Sequence, residues 1–179
     1  MKFIFCCLLL LVSVLTVSAQ KKFVPLEASS TVGFTIKNFG LTVDGALSGL
    51  KGTIIIDEKK QIVSTMDVTV DVNSIDTKND RRDKHLRQDD YFDAEKFPTM
   101  RMKSVSVVPT TRKNEFTLNA TLTIKDVSKA ISFPITVVRS SNGFILSGSF
   151  EIDRLDYNVG KNSLALGDLV KVNLKVLAN

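Results

Sequence analysis

Residues 65–72, TMDVTVDV, alternate strictly between polar and apolar side chains. Successive side chains of a β-strand point to opposite faces, so this pattern predicts a strand with one buried face. Polar turns such as DEKK and SNG separate this segment from others of the same kind. We therefore predict about eight strands, within residues 31–37, 53–56, 65–72, 100–108, 116–124, 131–137, 144–152 and 170–176.

The connections between these strands are mostly short, which predicts antiparallel neighbours. A sheet of this size needs a cover for its apolar face, and the chain offers only one short helical insert. Closing the sheet into a barrel covers that face and removes the edges. Glycines at 40, 45, 49 and 52 allow the bends that closure requires. We predict an all-β fold, a single antiparallel β-barrel of about eight strands with one short helical insert; a two-sheet sandwich is the alternative.

The inward-facing row of the predicted barrel is apolar almost throughout. Eight strands enclose either a packed core or a cavity for one small ligand, and the alternation allows both. If the barrel is hollow, its ligand is apolar. The candidate lumen residues are Val32, Phe34, Ile36, Met66, Val68, Met100, Met102, Phe116, Leu118, Phe133, Leu146 and Phe150, with Phe92 and Phe97 at the mouth or wall.

Residues 74–100, SIDTKNDRRDKHLRQDDYFDAEKFPTM, form the one long segment without alternation. We predict a short helix here, capped by Asp76 or Thr77. Its acids and bases stand four residues apart, as in the pair of Asp83 with Arg87, which favours a solvated helix with paired charges. Pro98 ends the segment.

The same segment holds the sole histidine, His85, among several aspartates. A metal site usually needs a second imidazole or a fixed pair of carboxylates, and the sequence supplies no second histidine. No serine lies in a nucleophile-elbow motif. We therefore predict no catalytic residue, no metal, no cofactor and no enzymatic activity. Arg82 and His85 are the candidate polar contacts beside the lumen.

The first nineteen residues combine a basic start, an apolar run and small residues before the polar Gln20. This is typical of a secretory signal peptide, and the apolar run is short for a membrane span. We predict a signal peptide at 1–19 cleaved after Ala19, a single domain at 20–179, no stable membrane insertion after cleavage, and a periplasmic or secreted location. Both cysteines leave with the signal peptide, so no disulfide is expected.

The formal net charge is +5, yet lysines and arginines are interleaved with acids along the chain. Nucleic-acid binding needs a concentrated basic face, usually with aromatic side chains for stacking. Neither is present in the sequence, so no nucleic-acid partner is expected.

The segment 74–100 resembles the signature of the YceI-like family of lipid- or polyisoprenoid-binding proteins, through motifs at residues 74–77, 82–87, 90–93 and 96–98. Further matching blocks are residues 32–34, 122–124 and 153–160. The resemblance implies a lipocalin-like barrel, exported to the periplasm, with an isoprenoid or another long-chain amphiphile in its lumen. Ser29 and Asn38 stand where relatives commonly carry histidines, which leaves the preferred head group open.

Our leading hypothesis is an exported carrier that binds a long-chain amphiphile, a polyisoprenoid or similar lipid, in an apolar lumen. The alternative is an exported stress-response or protein-interaction module with a packed, ligand-free barrel. Either protein could be a monomer or a homodimer.

Overall fold

The computed structural model describes residues 20–179, and the predicted signal peptide at 1–19 lies outside this range. The described residues form nine strands, one α-helix and two short 3-10 helices. The strands are β1 Gln20–Phe23, β2 Thr31–Asn38, β3 Leu41–Asp57, β4 Ile62–Asp76, β5 Thr99–Pro109, β6 Glu115–Ile124, β7 Val127–Ser140, β8 Gly143–Asp153 and β9 Leu166–Ala178. The helix α1 is Asp80–Leu86, and the 3-10 helices are Glu27–Ser29 and Leu155–Tyr157. No helix within residues 20–179 has the length and apolarity that crossing a membrane would take.

Strands β2 to β9 close into a barrel in which every neighbouring pair is antiparallel. The order around the barrel is β2-β9-β8-β7-β6-β5-β4-β3, and the pairing of β3 with β2 completes the ring. This confirms the predicted antiparallel barrel and shows that the sandwich alternative is wrong. The ninth strand, β1, is an addition that pairs with the end of β3.

Strand β3 takes part in closure along its whole length, pairing first with β2 and then with β4. Its register shifts between Ala46 and Lys51, and the backbone at Gly49 and Gly52 has φ angles of 71° and 138°. A Cβ atom at position 52 would lie 2.7 Å from the Cα atom of Val68, so only glycine fits against β4. The bend expected from the glycine density is found here.

The two ends of the barrel are covered differently. One end, which we call the plugged end, is covered by β1 and by the bridge of Pro25 to Ala178. There the Phe23 ring meets the Phe144 ring edge-on at a centroid distance of 5.3 Å. The opposite end, the helix end, carries α1 and the turns that precede β5 and β9.

Helix α1 differs from its prediction in its cap and its charge pairs. Asn79, rather than Asp76 or Thr77, is the N-cap, and its side chain accepts a hydrogen bond from the Arg82 backbone N–H at 3.0 Å. Asp83 is buried and accepts hydrogen bonds from the backbone N–H and the hydroxyl of Thr77. Arg87 donates to the Asn73 carbonyl instead. The predicted Asp83–Arg87 pair is wrong because the Thr77 donors hold this carboxylate inside.

Candidate functional site

A cavity of about 200 Å³ lies inside the barrel and extends to the helix end. Side chains from every barrel strand except β7 contribute to its walls. The inner face of β7, with Phe133, Ile135 and Val137, is instead part of the packed core. The apolar wall residues are Val32, Phe34, Ile36, Val43, Leu47, Leu50, Ile54, Met66, Val68, Val70, Met100, Met102, Leu122, Ile124, Phe150, Ile152, Leu166, Val170, Val172, Leu174 and Val176.

The inward side chains of β2 remain partly accessible. Val32, Phe34 and Ile36 all line the cavity, yet none of them is fully buried. By contrast, the inward residues Leu118 and Ala120 of β6 are each only 1% exposed. Because the pattern of alternation is the same in both strands, the difference in burial comes from empty space beside β2. The interior is therefore more open along β2 than along β6, where it is packed.

Gly45 on β3 has no side chain, and this leaves room for the ring of Phe34. Phe34 is the cross-strand partner of Gly45. A Cβ atom at position 45 would lie 2.6 Å from Cε1 and 2.8 Å from Cε2 of the Phe34 ring, which therefore rests on the glycine backbone. This close approach keeps the ring against the wall and leaves the lumen wider.

Residues 77–98 form a cover over the helix end of the lumen. Leu86, Tyr91 and Phe92 line the cavity from this segment. His85 does not line it: its ring is exposed, lies 3.1 Å from an Asp90 oxygen through Nε2, and contacts Tyr91 edge-on. The cover thus presents apolar side chains inward and its histidine outward.

Arg154 anchors a second covering segment, residues 155–168. This guanidinium is buried and donates to the carbonyl oxygens of Val159 at 2.8 Å, Lys161 at 2.9 Å and Gly167 at 3.0 Å. It also donates to the Asp168 carboxylate at 2.8 Å. All of its nitrogens are engaged in holding the loop, so Arg154 is structural although it borders the cavity.

Two polar groups at the helix end keep capacity for a ligand. Arg82 donates to the hydroxyl and the carbonyl of Thr77 through Nε and Nη2, each at 2.7 Å, while its Nη1 has no hydrogen-bond partner within residues 20–179. Tyr157 is 2% exposed and lines the cavity, and its hydroxyl has no such partner in the same range. Burial, and then the charge of Asp156, raise the pKa of Tyr157, so its hydroxyl stays protonated at neutral pH.

The structure brings nine of the fourteen candidate lumen residues to the cavity wall: Val32, Phe34, Ile36, Met66, Val68, Phe92, Met100, Met102 and Phe150. Five lie elsewhere. Phe116, Leu118, Phe133 and Leu146 belong to the packed core, and Phe97 lies under the Lys96 ammonium, 5.1 Å from the ring centroid. Of the two candidate polar contacts, Arg82 borders the cavity and His85 does not.

The largest group that sequence reasoning missed is the inner row of β9, with Val170, Val172 and Leu174. Its strict alternation was a sufficient signal. Tyr157 was missed as well, and it lies in an irregular segment without any periodicity. Within residues 20–179 no three His, Cys, Asp or Glu side chains are grouped as a metal ion would require.

An eight-stranded antiparallel barrel around an apolar cavity defines the lipocalin-like class of barrels. The chain belongs to the YceI-like family, since the family model described as the YceI-like domain matches residues 24–178. This confirms the resemblance found in the sequence.

The chain is similar to several known members and structures. Protein YceI of Salmonella arizonae is 32% identical over 102 residues, which are 56% of this chain and 52% of that protein, so the chain spans about half the length of the curated relatives it matches. The crystal structure of Burkholderia cenocepacia BcnA superposes with a TM-score of 0.80 at 23% identity, covering 87% of this chain and 99% of BcnA. A polyisoprenoid binding domain from Saccharophagus degradans, implicated in plant cell wall breakdown, has a TM-score of 0.69 at 16% identity, covering 90% and 99% of the two chains. These likenesses show the shared fold.

Proposed function

We propose that this protein is an exported carrier that holds a long-chain amphiphile, a polyisoprenoid or similar lipid, in the lumen of its barrel. The observation that carries the proposal is the apolar wall of the cavity, in which the β2 side chains Val32, Phe34 and Ile36 stay partly accessible. Each methylene group of a ligand that leaves water for such a wall contributes about 0.8 kcal/mol. The similar domain from Saccharophagus degradans, described as polyisoprenoid binding, supports the ligand class.

The wall is suited to a chain without rigid shape. Met66, Met100 and Met102 line neighbouring strands of the lumen. Unbranched thioether side chains change rotamer at little cost and fill irregular gaps, so they can follow different acyl or prenyl chains. The proposal therefore concerns a class of ligand and not one particular lipid.

The polar end of the amphiphile belongs, in this proposal, at the helix end. The Nη1 group of Arg82 and the hydroxyl of Tyr157 can donate hydrogen bonds to oxygen atoms of a head group. His85 is given no role, since it is exposed and does not line the cavity. Export rests on the signal-like residues 1–19, with residues 20–179 as the working domain.

The direct test is native mass spectrometry and lipid extraction of the purified protein, before and after incubation with a fluorescent polyprenyl alcohol in detergent. We expect a co-purifying amphiphile or saturable uptake of the probe. A protein that carries no amphiphile and takes up no probe would contradict the carrier function, and would favour an interaction module instead.

Two variants connect uptake to the lumen. Val172→Trp adds a large apolar side chain opposite Phe34 and should reduce uptake while the barrel stays folded. Phe34→Asp places a charge in the apolar lumen and should abolish uptake. The matched controls are Lys171→Trp and Thr35→Asp, which are neighbours on the other face of the same strands and should leave uptake unchanged. Equal uptake by Val172→Trp and Lys171→Trp would show that the ligand does not occupy the lumen.

A further inference from the structure

Large apolar side chains project into solvent at the rim of the helix end. Phe39 is 80% and Leu41 is 73% exposed, and both lie at the tip of the β2–β3 hairpin. Leu164, in the loop before β9, is fully exposed. The Phe39 backbone N–H donates to the Ala165 carbonyl at 2.7 Å, which ties the hairpin tip to this loop. We call Phe39, Leu41 and Leu164 the mouth patch.

Folding does not account for Phe39. The residue has φ 49° and is followed by Gly40 at φ 77°, so the two form a hairpin loop with positive φ at both central positions. Such loops favour Asn, Asp or Gly at the first position, and a bulky side chain is unfavourable there. The ring also contributes nothing to the core, because most of its surface is in contact with solvent. Both local conformation and burial therefore argue against phenylalanine at a purely structural turn.

The mouth patch adjoins residues that line the lumen. Asn38, the cross-strand partner of Leu41, lines the cavity. Leu166, two residues after Leu164, lines it as well. The cavity therefore reaches the rim beside the exposed side chains, with polar Asn38 next to Leu41 and apolar Leu166 close to Leu164 in the chain. A lipid tail leaving the lumen at this point would meet the apolar mouth patch outside it.

The shape and charge of the patch suit a bilayer better than a protein partner. Specific protein interfaces need about 800 Å² on each side with matching shape, whereas the patch consists of side chains on two projecting tips. A lipid interface accepts such side chains without a matching surface. Lys37 and Lys161 flank the patch and form no ion pair within residues 20–179, while Asp44 is the acid of the hairpin. The Lys37 ammonium donates to the Thr42 hydroxyl at 2.6 Å, and because neither lysine is neutralised by a carboxylate, both charges complement anionic head groups.

We propose that the mouth patch docks the protein on an anionic phospholipid bilayer, so that the amphiphile passes between the bilayer and the lumen without crossing water. Docking would explain how the proposed carrier exchanges its lipid with a membrane. The role of the mouth patch in lipid transfer therefore rests on the proposed carrier function. Docking itself depends only on the three side chains of the patch and the flanking lysines.

Co-sedimentation with vesicles of equimolar phosphatidylcholine and phosphatidylglycerol tests the docking. The wild-type protein should bind, and Leu41→Asp and Phe39→Asp should each weaken binding about tenfold or more, as expected when one large apolar side chain no longer enters the interface. Aspartate tolerates positive φ, so Phe39→Asp should fold at least as well as the wild type. Val105→Asp is the matched control: Val105 is also 73% exposed but lies on β5, separated from β2 by two strands, and its change should leave binding unaltered.

Three results would overturn the docking proposal. The first is a wild-type protein that does not sediment with the vesicles, and the second is equal vesicle binding by the patch variants and Val105→Asp. The third is self-association that Leu41→Asp abolishes, without any vesicle binding. This third result would assign the patch to a second copy of the chain. Loading each variant with the polyprenyl probe from detergent separates this proposal from the carrier function. Patch variants that load normally but no longer bind vesicles support docking, whereas failure of the wild type to load contradicts the carrier function alone.

Discussion

The two ends of this barrel are built from the same alternating strands but are closed by opposite means. At the plugged end, apolar side chains fill the interior: Phe23 packs on Phe144, and Ile56 and Val137 have no exposed surface. At the helix end, hydrogen-bonded segments arch over the interior without filling it, held by Arg154 and by the contacts of Thr77 with Arg82 and Asp83. We call these hydrogen bonds of Arg154 and Thr77 the polar clasp. They keep the covering segments in place and leave an apolar space beneath them, whereas the packed side chains of the plugged end leave none.

The boundary between the two regions is narrow. The Phe133 and Phe150 rings lie 4.5 Å apart, and only Phe150 lines the cavity. A Cβ atom at Gly148 would lie 2.9 Å from the Phe133 ring, so the ring settles on the backbone of β8. The step from packed to hollow therefore occurs across one pair of aromatic side chains.

The largest expected effect is a difference in unfolding free energy between two Phe→Ala substitutions, one at each end of the barrel. Phe144→Ala removes a fully buried ring from the plugged end and should lower the free energy of unfolding by about 3–5 kcal/mol. Phe34→Ala, in the half-exposed lumen row, should lower it by about 1–2 kcal/mol. Urea unfolding of the two variants measures the difference. Equal losses would mean that the lumen row is as tightly packed as the plug.

The polar clasp is tested by Arg154→Met, which retains much of the side-chain volume but removes the donors to three loop carbonyls and Asp168. Because these acceptors, of which the Val159 carbonyl is buried and the others partly buried, lose a charged donor, we expect a loss of about 3 kcal/mol in unfolding free energy and faster amide exchange in residues 155–168. The matched control is Lys129→Met, whose ion pair with Asp156 is solvent-exposed and should be worth less than about 1 kcal/mol. A loss no larger than that of the control would contradict the anchoring role of Arg154.

Narrowing the lumen should cost less stability than removing the Phe144 ring and should act mainly on ligand uptake. Gly45→Ala sets a methyl group against the Phe34 ring and should push that ring into the cavity, reducing uptake of the polyprenyl probe at a stability cost of about 1–3 kcal/mol. Gly33→Ala is the control on the paired strand, where the added Cβ atom would meet its nearest neighbour at an ordinary 3.7 Å. Unchanged uptake by the position-45 variant would show that the Phe34 ring does not set the width of the lumen.

The strands and the barrel were predictable because they depend on local patterns. Alternation identified the inner face of β2, β4 and β5 correctly, and short turns identified antiparallel pairing. The candidate site was predictable only in part: Phe34 and Phe116 have the same apolar alternation, yet one borders the cavity and the other lies in the core. Their roles in binding a ligand stay predictions.

The helical segment and the loop after β8 also contain side chains whose positions could not be predicted from the sequence. Asp83 reads as a surface charge in the sequence, four residues before Arg87, but Thr77 supplies two donors that make burial of the carboxylate favourable. Tyr157 and Arg154 lie in irregular chain, where no period indicates a face. Their positions depend on loop carbonyls that come together only in the folded protein.

By itself, the sequence determined the family, the all-β barrel and the inward side of the strands whose side chains alternate, because side-chain alternation follows from backbone geometry alone. Only the tertiary structure decided where the barrel is full and where it is hollow. That outcome depends on side chains reaching across from the opposite wall, on Phe23 entering one end, and on Arg154 holding a cover over the other. These are contacts between residues far apart in the chain, and no local pattern specifies them.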